Sequence, residues 1–292
     1  MPDRQSSTRP LPPDASWVAF NGLTRRAAIA GTAFAAGFAA ACQPVAASTI
    51  QTDASGIAES HQTTPGADGF AIPLFVAKPE GQGPFATIIV VHEIFGVHEW
   101  IKDVCRRLAK AGYMAVAPDL FARHGDATTI SNFPELFAKI VAKTKDPEVL
   151  SDLDATTRWI DAHGGAPGRL GITGFCWGGR VVWLYAAHQP ALSAGVAFYG
   201  RLKGDAPMQP IDLPAQLKAP VLGQYGGKDR GIPQSDVAQM NAALAAASDP
   251  SHITVYPQAD HGFMADYRPS YNEAAAKQAW AAMLDWFETH IK

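Results

Sequence analysis

One segment near the middle of the chain constrains its fold more than any other. It is a short apolar run that passes through a glycine-rich turn into a helical pattern, Leu-Gly-Ile-Thr-Gly-Phe-Cys-Trp-Gly-Gly-Arg at 170–180. Gly174 and Gly178 lie two residues on either side of Cys176, a spacing typical of a sharp strand-to-helix turn in which larger flanking side chains would clash. A strand followed directly by a helix is the repeating unit of proteins with parallel sheets.

Such a turn presents the side chain at its apex, here Cys176, to the edge of the sheet. The helix expected at 178–188 would place unpaired N–H groups and the positive end of its dipole beside the sulfur, which favours a thiolate over a thiol. Cys176 is therefore a candidate nucleophile. A buried structural cysteine is the alternative interpretation, and other residues must decide between the two.

Strand and helix patterns alternate along the chain from residue 68. The expected strands are 70–78, 86–91, 114–117, 169–173, 194–198, 220–225 and 253–256, and the expected helices are 99–111, 133–143, 149–163, 178–188, 234–247 and 271–291. Segment 86–91 is continuously apolar, which is typical of a central strand buried on both faces. Segment 70–78 contains Pro73 and is expected at a sheet edge. The pattern predicts an α/β fold with a mostly parallel central sheet and helices on both faces.

Composition limits the partners. The 292 residues are 47% hydrophobic, carry a net charge of −3 and contain no long basic run. This argues against nucleic acid or an anionic membrane surface as the main partner and favours a small molecule. Residues 48–292 show no internal repeat or linker, so we expect a single domain and a monomer.

Residues 1–47 are set apart as a disordered leader and an export signal. Arg25 and Arg26 precede the small and apolar residues 27–41, which is typical of a twin-arginine signal. The run is too short and too rich in alanine and glycine to span a bilayer. Val45 and Ala47 fit a small-residue cleavage site, so we expect cleavage after Ala47 and a periplasmic mature protein.

Two alternatives to a cleaved, periplasmic form remain open. Cys42 follows three alanines and could carry a lipid anchor, although such sites favour leucine three residues upstream; if the signal is not used, the protein stays in the cytoplasm. The two other cysteines, Cys105 and Cys176, are too few for a disulfide framework. Cys105 lies on the apolar stripe of the helix at 99–111, so we expect it in the core and neither thiol in a disulfide.

Two more polar side chains directly follow expected strands. Asp229 comes after the strand at 220–225, and His261 comes after the strand at 253–256. Because the carboxyl ends of parallel strands share one rim of the sheet, both are expected near Cys176. The order nucleophile, acid, histidine is that of α/β-hydrolase triads. Asp260 is a rival acid, but its side chain would have to fold back to reach the neighbouring imidazole, so Asp229 is preferred.

A carboxylate also follows the central strand. Glu93 comes soon after 86–91 and is expected on the same rim, either in the site or as a solvent-facing loop acid. His92, Glu93 and His98 also suggest zinc, but a zinc-protease helix needs its second histidine four residues after the first, and a spacing of six places it on another face. We predict neither a metal ion nor a cofactor.

With these residues in place, the chain resembles the dienelactone hydrolase (carboxymethylenebutenolidase) family of α/β-hydrolases over residues 60–290. The resemblance is carried by His-Glu-Ile-Phe-Gly at 92–96, Ala-Pro-Asp-Leu-Phe-Ala-Arg at 117–123, Gly-Phe-Cys-Trp-Gly-Gly at 174–179, Phe-Tyr-Gly at 198–200 and His-Gly-Phe at 261–263. It implies an α/β-hydrolase fold and a triad of Cys176, His261 and Asp229. It also implies that Glu93 accepts the thiol proton when substrate binds.

The resemblance extends to the surroundings of the triad. It implies an oxyanion hole made by the backbone N–H groups of Ile94 and Trp177. It places Tyr199 and Phe263 at the substrate pocket, and Arg123, at the end of the 117–123 motif, is a further pocket candidate.

One position departs from the family pattern. Members that act on dienelactone hold its carboxylate with arginines, one of them four residues after the catalytic histidine, where this chain has Ala265. No arginine lies in the helix expected at 133–143, where a second would be expected. Arg123, Arg201 and Arg268 are candidates to replace them.

The implied activity is hydrolysis of an activated ester or lactone through a thioester, with a small-molecule ester or lactone as the partner. A general carboxylesterase or thioesterase on the same fold is an alternative. A noncatalytic binding protein that kept the fold is a third interpretation, against which the intact triad argues.

Overall fold

The computed structural model describes residues 50–248 and 250–291. The expected leader, export signal and cleavage site, together with Cys42, lie outside this part of the chain. Within the described ranges, no helix has both the length and the apolar character needed to cross a bilayer. Cys105 is completely buried, and neither it nor Cys176 forms a disulfide.

Eight strands form one sheet in the order β1-β2-β4-β3-β5-β6-β7-β8. Two pairings, β1–β2 and β2–β4, are antiparallel, and the other five are parallel. The strands are β1 (Ile57–Pro65), β2 (Ala71–Pro79), β3 (Phe85–Val91), β4 (Met114–Pro118), β5 (Gly165–Phe175), β6 (Ala194–Phe198), β7 (Val221–Gly226) and β8 (His252–Tyr256). The sheet confirms the expected mostly parallel α/β architecture.

The helices follow the expected pattern closely. They are α1 (Glu99–Lys110), α2 (Phe133–Leu136), α3 (Asp146–Ala162), α4 (Trp177–His188), α5 (Gln234–Ala246) and α6 (Glu273–His290). The segment expected as one helix at 133–143 is instead the single turn α2 followed by a π-helical turn, Phe137–Val141. This segment packs on Ile94 and Phe95, beside the end of β3.

The chain reverses its direction of travel across the sheet after β4. The step from β3 to β4 moves toward the β1 edge, whereas β5, β6, β7 and β8 follow one another toward the opposite edge. Because parallel crossovers are right-handed, α1 lies on one face of the sheet, and α3, α4 and α5 lie on the other. Strands β3 and β5 are adjacent at the point of reversal, where ligand crevices form at the carboxyl ends of strands.

The expectation that the strand at 70–78 lies at a sheet edge is wrong. Strand β2 is paired on both sides, and β1, which the sequence pattern did not reveal, forms the edge. The Pro73 carbonyl accepts a hydrogen bond from the Asp119 N–H just past the end of β4. In an antiparallel strand the N and the C=O of one residue face the same side, so the nitrogen of Pro73 points past the end of β4 and interrupts no ladder.

Candidate active site

The turn between β5 and α4 is held by main-chain contacts. Cys176 has φ 56° and ψ −112°, and its N–H donates to the Phe198 carbonyl at 3.0 Å. A Cβ on Gly178 would lie 2.6 Å from the His92 carbonyl oxygen and closer still to that of Val91. A side chain at such distances would force the backbone to move. Glycine at positions 174 and 178 therefore permits the close approach of the turn to the end of β3. The approach fixes Cys176 beside the loop that carries Glu93.

His261 is hydrogen-bonded to Asp229, the acid that the sequence analysis preferred. Its ring Nδ1 lies 2.8 Å from Asp229 Oδ2, and both side chains are buried. Asp260 instead accepts a hydrogen bond from the backbone N–H of His261 at 2.7 Å. With Nδ1–H directed at Asp229, proton exchange with a reacting group falls to Nε2.

Tyr199 packs against the rings of His261 and Phe263. Its ring centroid lies 5.1 Å from that of His261 and 5.5 Å from that of Phe263. Burial raises the pKa of Tyr199 well above its ordinary value, and Glu93, Arg268, Tyr267 and Cys176 are the charged or ionisable groups that act on it. Among the described residues, its hydroxyl is buried and has no hydrogen-bond partner. The Tyr199 ring therefore lies beside His261, with a hydroxyl to which no described residue is hydrogen-bonded.

Glu93 is fully buried, and its carboxylate is surrounded by hydrogen-bond donors. Arg268 donates to Oε1 at 2.9 Å and also to the Tyr267 hydroxyl at 3.1 Å, and that hydroxyl donates to Oε2. His98 Nε2 lies 3.6 Å from Oε2. Burial alone would raise the pKa of Glu93, but Arg268, His98 and Tyr267 together outweigh it and lower the pKa to about 2. Glu93 is thus ionised and firmly held.

The two backbone donors implied for the oxyanion hole lie in neighbouring segments. Trp177 is the first residue of α4, and Ile94 follows Glu93 in the loop after β3. Ile94 belongs to a small apolar cluster against which Trp177 packs. The approach at Gly178 therefore brings the two segments that carry these residues together.

The arginines proposed to hold a substrate carboxylate are placed differently from one another. Arg123 is not brought to the pocket, because its guanidinium binds Asp152 at 2.7 and 2.9 Å, also contacts Asp68, and lies over the Phe70 ring. Arg268 is buried and binds Glu93, and Arg201 is exposed to solvent. Ala265 is fully buried.

Known proteins that are similar to this chain identify its family. Residues 72–291 match the model described as "Dienelactone hydrolase family". The chain belongs to the dienelactone hydrolase family. Relatives named "Putative carboxymethylenebutenolidase" occur in Methylorubrum extorquens, 53% identical over 92% of this chain and 94% of the relative, and in Escherichia coli K12, 49% identical over 87% and 95%. A crystal structure described as a "Putative Dienelactone Hydrolase" from Klebsiella pneumoniae is 50% identical, with a TM-score of 0.78 over 80% of this chain and 99% of that one.

The sequence did not reveal which residues of this dienelactone hydrolase family member hold Glu93. Tyr267, which belongs to no recognisable motif, donates to the carboxylate, and His98, considered above only as a zinc ligand, also lies against it. One signal was available: a carboxylate directly after a central strand is buried, and a buried carboxylate requires a cation and hydrogen-bond donors. The identity of those donors depends on the course of the loop at 262–271, which has no periodic pattern.

Proposed function

We propose that this hydrolase cleaves activated esters or lactones by acyl transfer through a thioester on Cys176. The observation that carries the proposal is the hydrogen bond of 2.8 Å between His261 and Asp229, on the rim where the strand-to-helix turn presents Cys176. An acid that orients a histidine beside a nucleophile is the arrangement that hydrolases of many folds share.

In the first stage, the Cys176 thiolate attacks the substrate carbonyl carbon, and the carbonyl electron pair moves to oxygen. The backbone N–H groups of Ile94 and Trp177 donate to this oxyanion. As the carbonyl re-forms, the bond to the leaving oxygen breaks, and that oxygen receives, through Nε2 of His261, the proton that Cys176 gave up. The products are an alcohol or enol and an acyl group on the sulfur.

In the second stage, His261 takes a proton from water, and the hydroxide attacks the thioester carbonyl. The carbon–sulfur bond breaks, which releases a carboxylic acid, and the Cys176 thiolate takes the proton from His261, so both groups return to their starting state. Because a thiolate is itself a good leaving group, the first stage favours substrates that release an enolate or phenolate. The chemistry therefore suits activated esters and lactones better than amides.

Glu93 would act as the acceptor of the Cys176 proton when substrate binds. With a pKa of about 2 it is a weak base while Arg268 and Tyr267 hold it. Proton acceptance therefore requires the carboxylate to give up part of that hydrogen bonding as the substrate enters.

The charges near the pocket favour an uncharged substrate, as a general carboxylesterase would use. Arg268 is neutralised by Glu93, and Arg123 is bound to Asp152 and Asp68. Arg201 is exposed to solvent, and Ala265 offers no cation. We expect kcat/KM for p-nitrophenyl acetate to exceed that for its carboxylated analogue p-nitrophenyl hemisuccinate by about tenfold, since a buried carboxylate without a cation is costly. Higher kcat/KM for the hemisuccinate would contradict this expectation. The amide analogue p-nitroacetanilide should not be cleaved.

Replacing Asp229 by asparagine should lower kcat by about 10² to 10⁴-fold, because the amide no longer holds Nδ1–H of His261 toward the acid. The matched control is Asp260→Asn, the neighbouring acid that bonds only the backbone of His261. The measurement is steady-state hydrolysis of p-nitrophenyl acetate by both variants. A larger loss of kcat in Asp260→Asn than in Asp229→Asn would show that Asp260, and not Asp229, orients His261.

A further inference from the structure

The loop after β3 contains a buried histidine that the proposed chemistry does not use. His92 is fully buried, and its two ring nitrogens contact different backbone groups. Nε2 accepts a hydrogen bond from the Leu120 N–H at 3.1 Å, and Nδ1 lies 2.6 Å from the Glu93 carbonyl oxygen. Because Nε2 accepts, the proton of the neutral ring is on Nδ1, which donates to that carbonyl. Burial lowers the pKa of His92, consistent with a neutral ring.

The accepting carbonyl belongs to the peptide unit of one implied oxyanion donor. The C=O of Glu93 and the N–H of Ile94 lie in the same planar peptide unit and point in opposite directions. A hydrogen bond that fixes the carbonyl therefore fixes the direction of the Ile94 N–H.

The same ring also contacts the residue that carries the other donor. His92 stacks on the Trp177 indole with ring centroids 5.5 Å apart and planes 13° apart. Phe121 completes the cluster, with its centroid 4.7 Å from His92 and 4.6 Å from Trp177. The motif at 117–123 thus supplies both the N–H that orients the imidazole and the ring that packs beside it.

We propose that His92 is a positioning residue that sets both oxyanion donors, the Ile94 N–H through a hydrogen bond and the Trp177 N–H through ring stacking. The inference rests on the proposed acyl transfer at Cys176. His92 itself contacts no reacting atom. It acts only through the two peptide units, so its loss affects the stabilisation of the oxyanion and not the nucleophile.

Three variants at this position separate the contacts. His92→Phe keeps a ring against Trp177 but loses both hydrogen bonds. His92→Gln can place an oxygen near the position of Nε2 to accept from Leu120, but it cannot donate from the position of Nδ1. His92→Asn places its amide nitrogen at the position of Nδ1 and can still donate to the Glu93 carbonyl.

The first readout is steady-state hydrolysis of p-nitrophenyl acetate. We expect kcat to fall by about 10- to 100-fold in His92→Phe and His92→Gln, with KM within about threefold, because a misdirected donor is lost mainly in the transition state. The kcat of His92→Asn should lie between those of His92→Gln and wild type, because this variant restores the hydrogen bond to the Glu93 carbonyl but not the stacking on Trp177. His163→Phe is the matched control, since His163 also bonds a carbonyl through Nδ1 and stacks on a tryptophan, but at the end of α3.

The second readout is the rate at which iodoacetamide alkylates Cys176, a displacement at carbon that forms no oxyanion. This rate should stay within about twofold of wild type in all three His92 variants. A kcat in His92→Phe and His92→Gln equal to that of wild type would overturn the inference, and so would a parallel loss of alkylation and ester hydrolysis. Failure of the proposed function looks different: wild type would not hydrolyse the ester, or Cys176→Ala would hydrolyse it equally well, whatever residue stands at 92.

Discussion

Replacing Cys176 by alanine is expected to lower kcat for p-nitrophenyl acetate by about 10³-fold or more, because the proposed mechanism forms its acyl intermediate on this sulfur. The side chain stands at the start of α4. In the proposed mechanism, two backbone donors and the histidine oriented by Asp229 surround the reacting carbonyl. Removal of the sulfur leaves the donors and the histidine in place. The residual rate therefore measures what they contribute to direct attack by water.

The chain offers a matched thiol for this experiment. Cys105→Ala alters the other described cysteine, which is fully buried on α1, and should retain the turnover of wild type. Iodoacetamide should label Cys176 in wild type and leave Cys105 unlabelled, since burial strongly raises the pKa of the Cys105 thiol. Turnover by purified Cys176→Ala equal to that of wild type would end the proposal of a thioester mechanism.

Replacing Arg268 by methionine is expected to destabilise the fold by about 3 to 5 kcal/mol, because the variant leaves the Glu93 charge buried without its cation. The two side chains are completely buried and 2.9 Å apart, so water cannot replace the lost partner. The measurement is the free energy of unfolding from urea titration at neutral pH. The double variant Glu93→Gln with Arg268→Met should recover much of the loss, since it removes the unpaired charge.

The pH dependence gives an independent check. The folded state holds the pKa of Glu93 at about 2, below its ordinary value of 4.5, so wild type has this stabilisation in full above pH 4.5 and loses it as pH falls toward 2. Without Arg268, burial raises the pKa of Glu93, so protonation relieves the variant in acid. The difference between the two proteins should therefore shrink as pH falls.

A surface ion pair provides the control for Arg268→Met. Lys277 binds Glu273 at 2.7 Å on α6, with both side chains largely exposed. Lys277→Met should leave the unfolding free energy close to that of wild type, because water replaces the lost partner. If Arg268→Met were equally mild, the carboxylate would have to be solvated or protonated rather than buried and ionised.

The sequence predicted those parts of the fold whose apolar pattern is set by burial. Strands β3, β6 and β7 are buried along almost their whole length, and β5 is buried from Leu170 onward, because both faces of the sheet are covered there; the expected and observed bounds differ by only a few residues. Strand β1 escaped notice for the opposite reason. Of its nine residues, Ile57 and Thr64 are buried, so its edge position leaves almost no hydrophobic pattern to read.

The sequence also predicted some residues of the candidate site and missed others. Residues that directly follow strands, such as Cys176 and Glu93, could be located because strand direction fixes the rim on which they lie. The partners of Glu93 could not, because Tyr267 and Arg268 lie in a loop whose course depends on tertiary contacts. Arg107 on α1 reaches the neighbouring Asp266 at 3.1 Å, one such contact between segments distant in sequence.

The contact between Gly178 and the carbonyls at the end of β3 has a consequence for how this enzyme can change. The location of the sulfur is dictated by polypeptide backbone meeting polypeptide backbone, with no side chain in between. Aromatic side chains of the proposed pocket, such as Phe263, which packs on Tyr199, can then be exchanged for smaller or differently shaped ones while the sulfur stays where it is. Selectivity for new esters is thereby open to redesign through the walls of the cavity, independently of the machinery that breaks the bond.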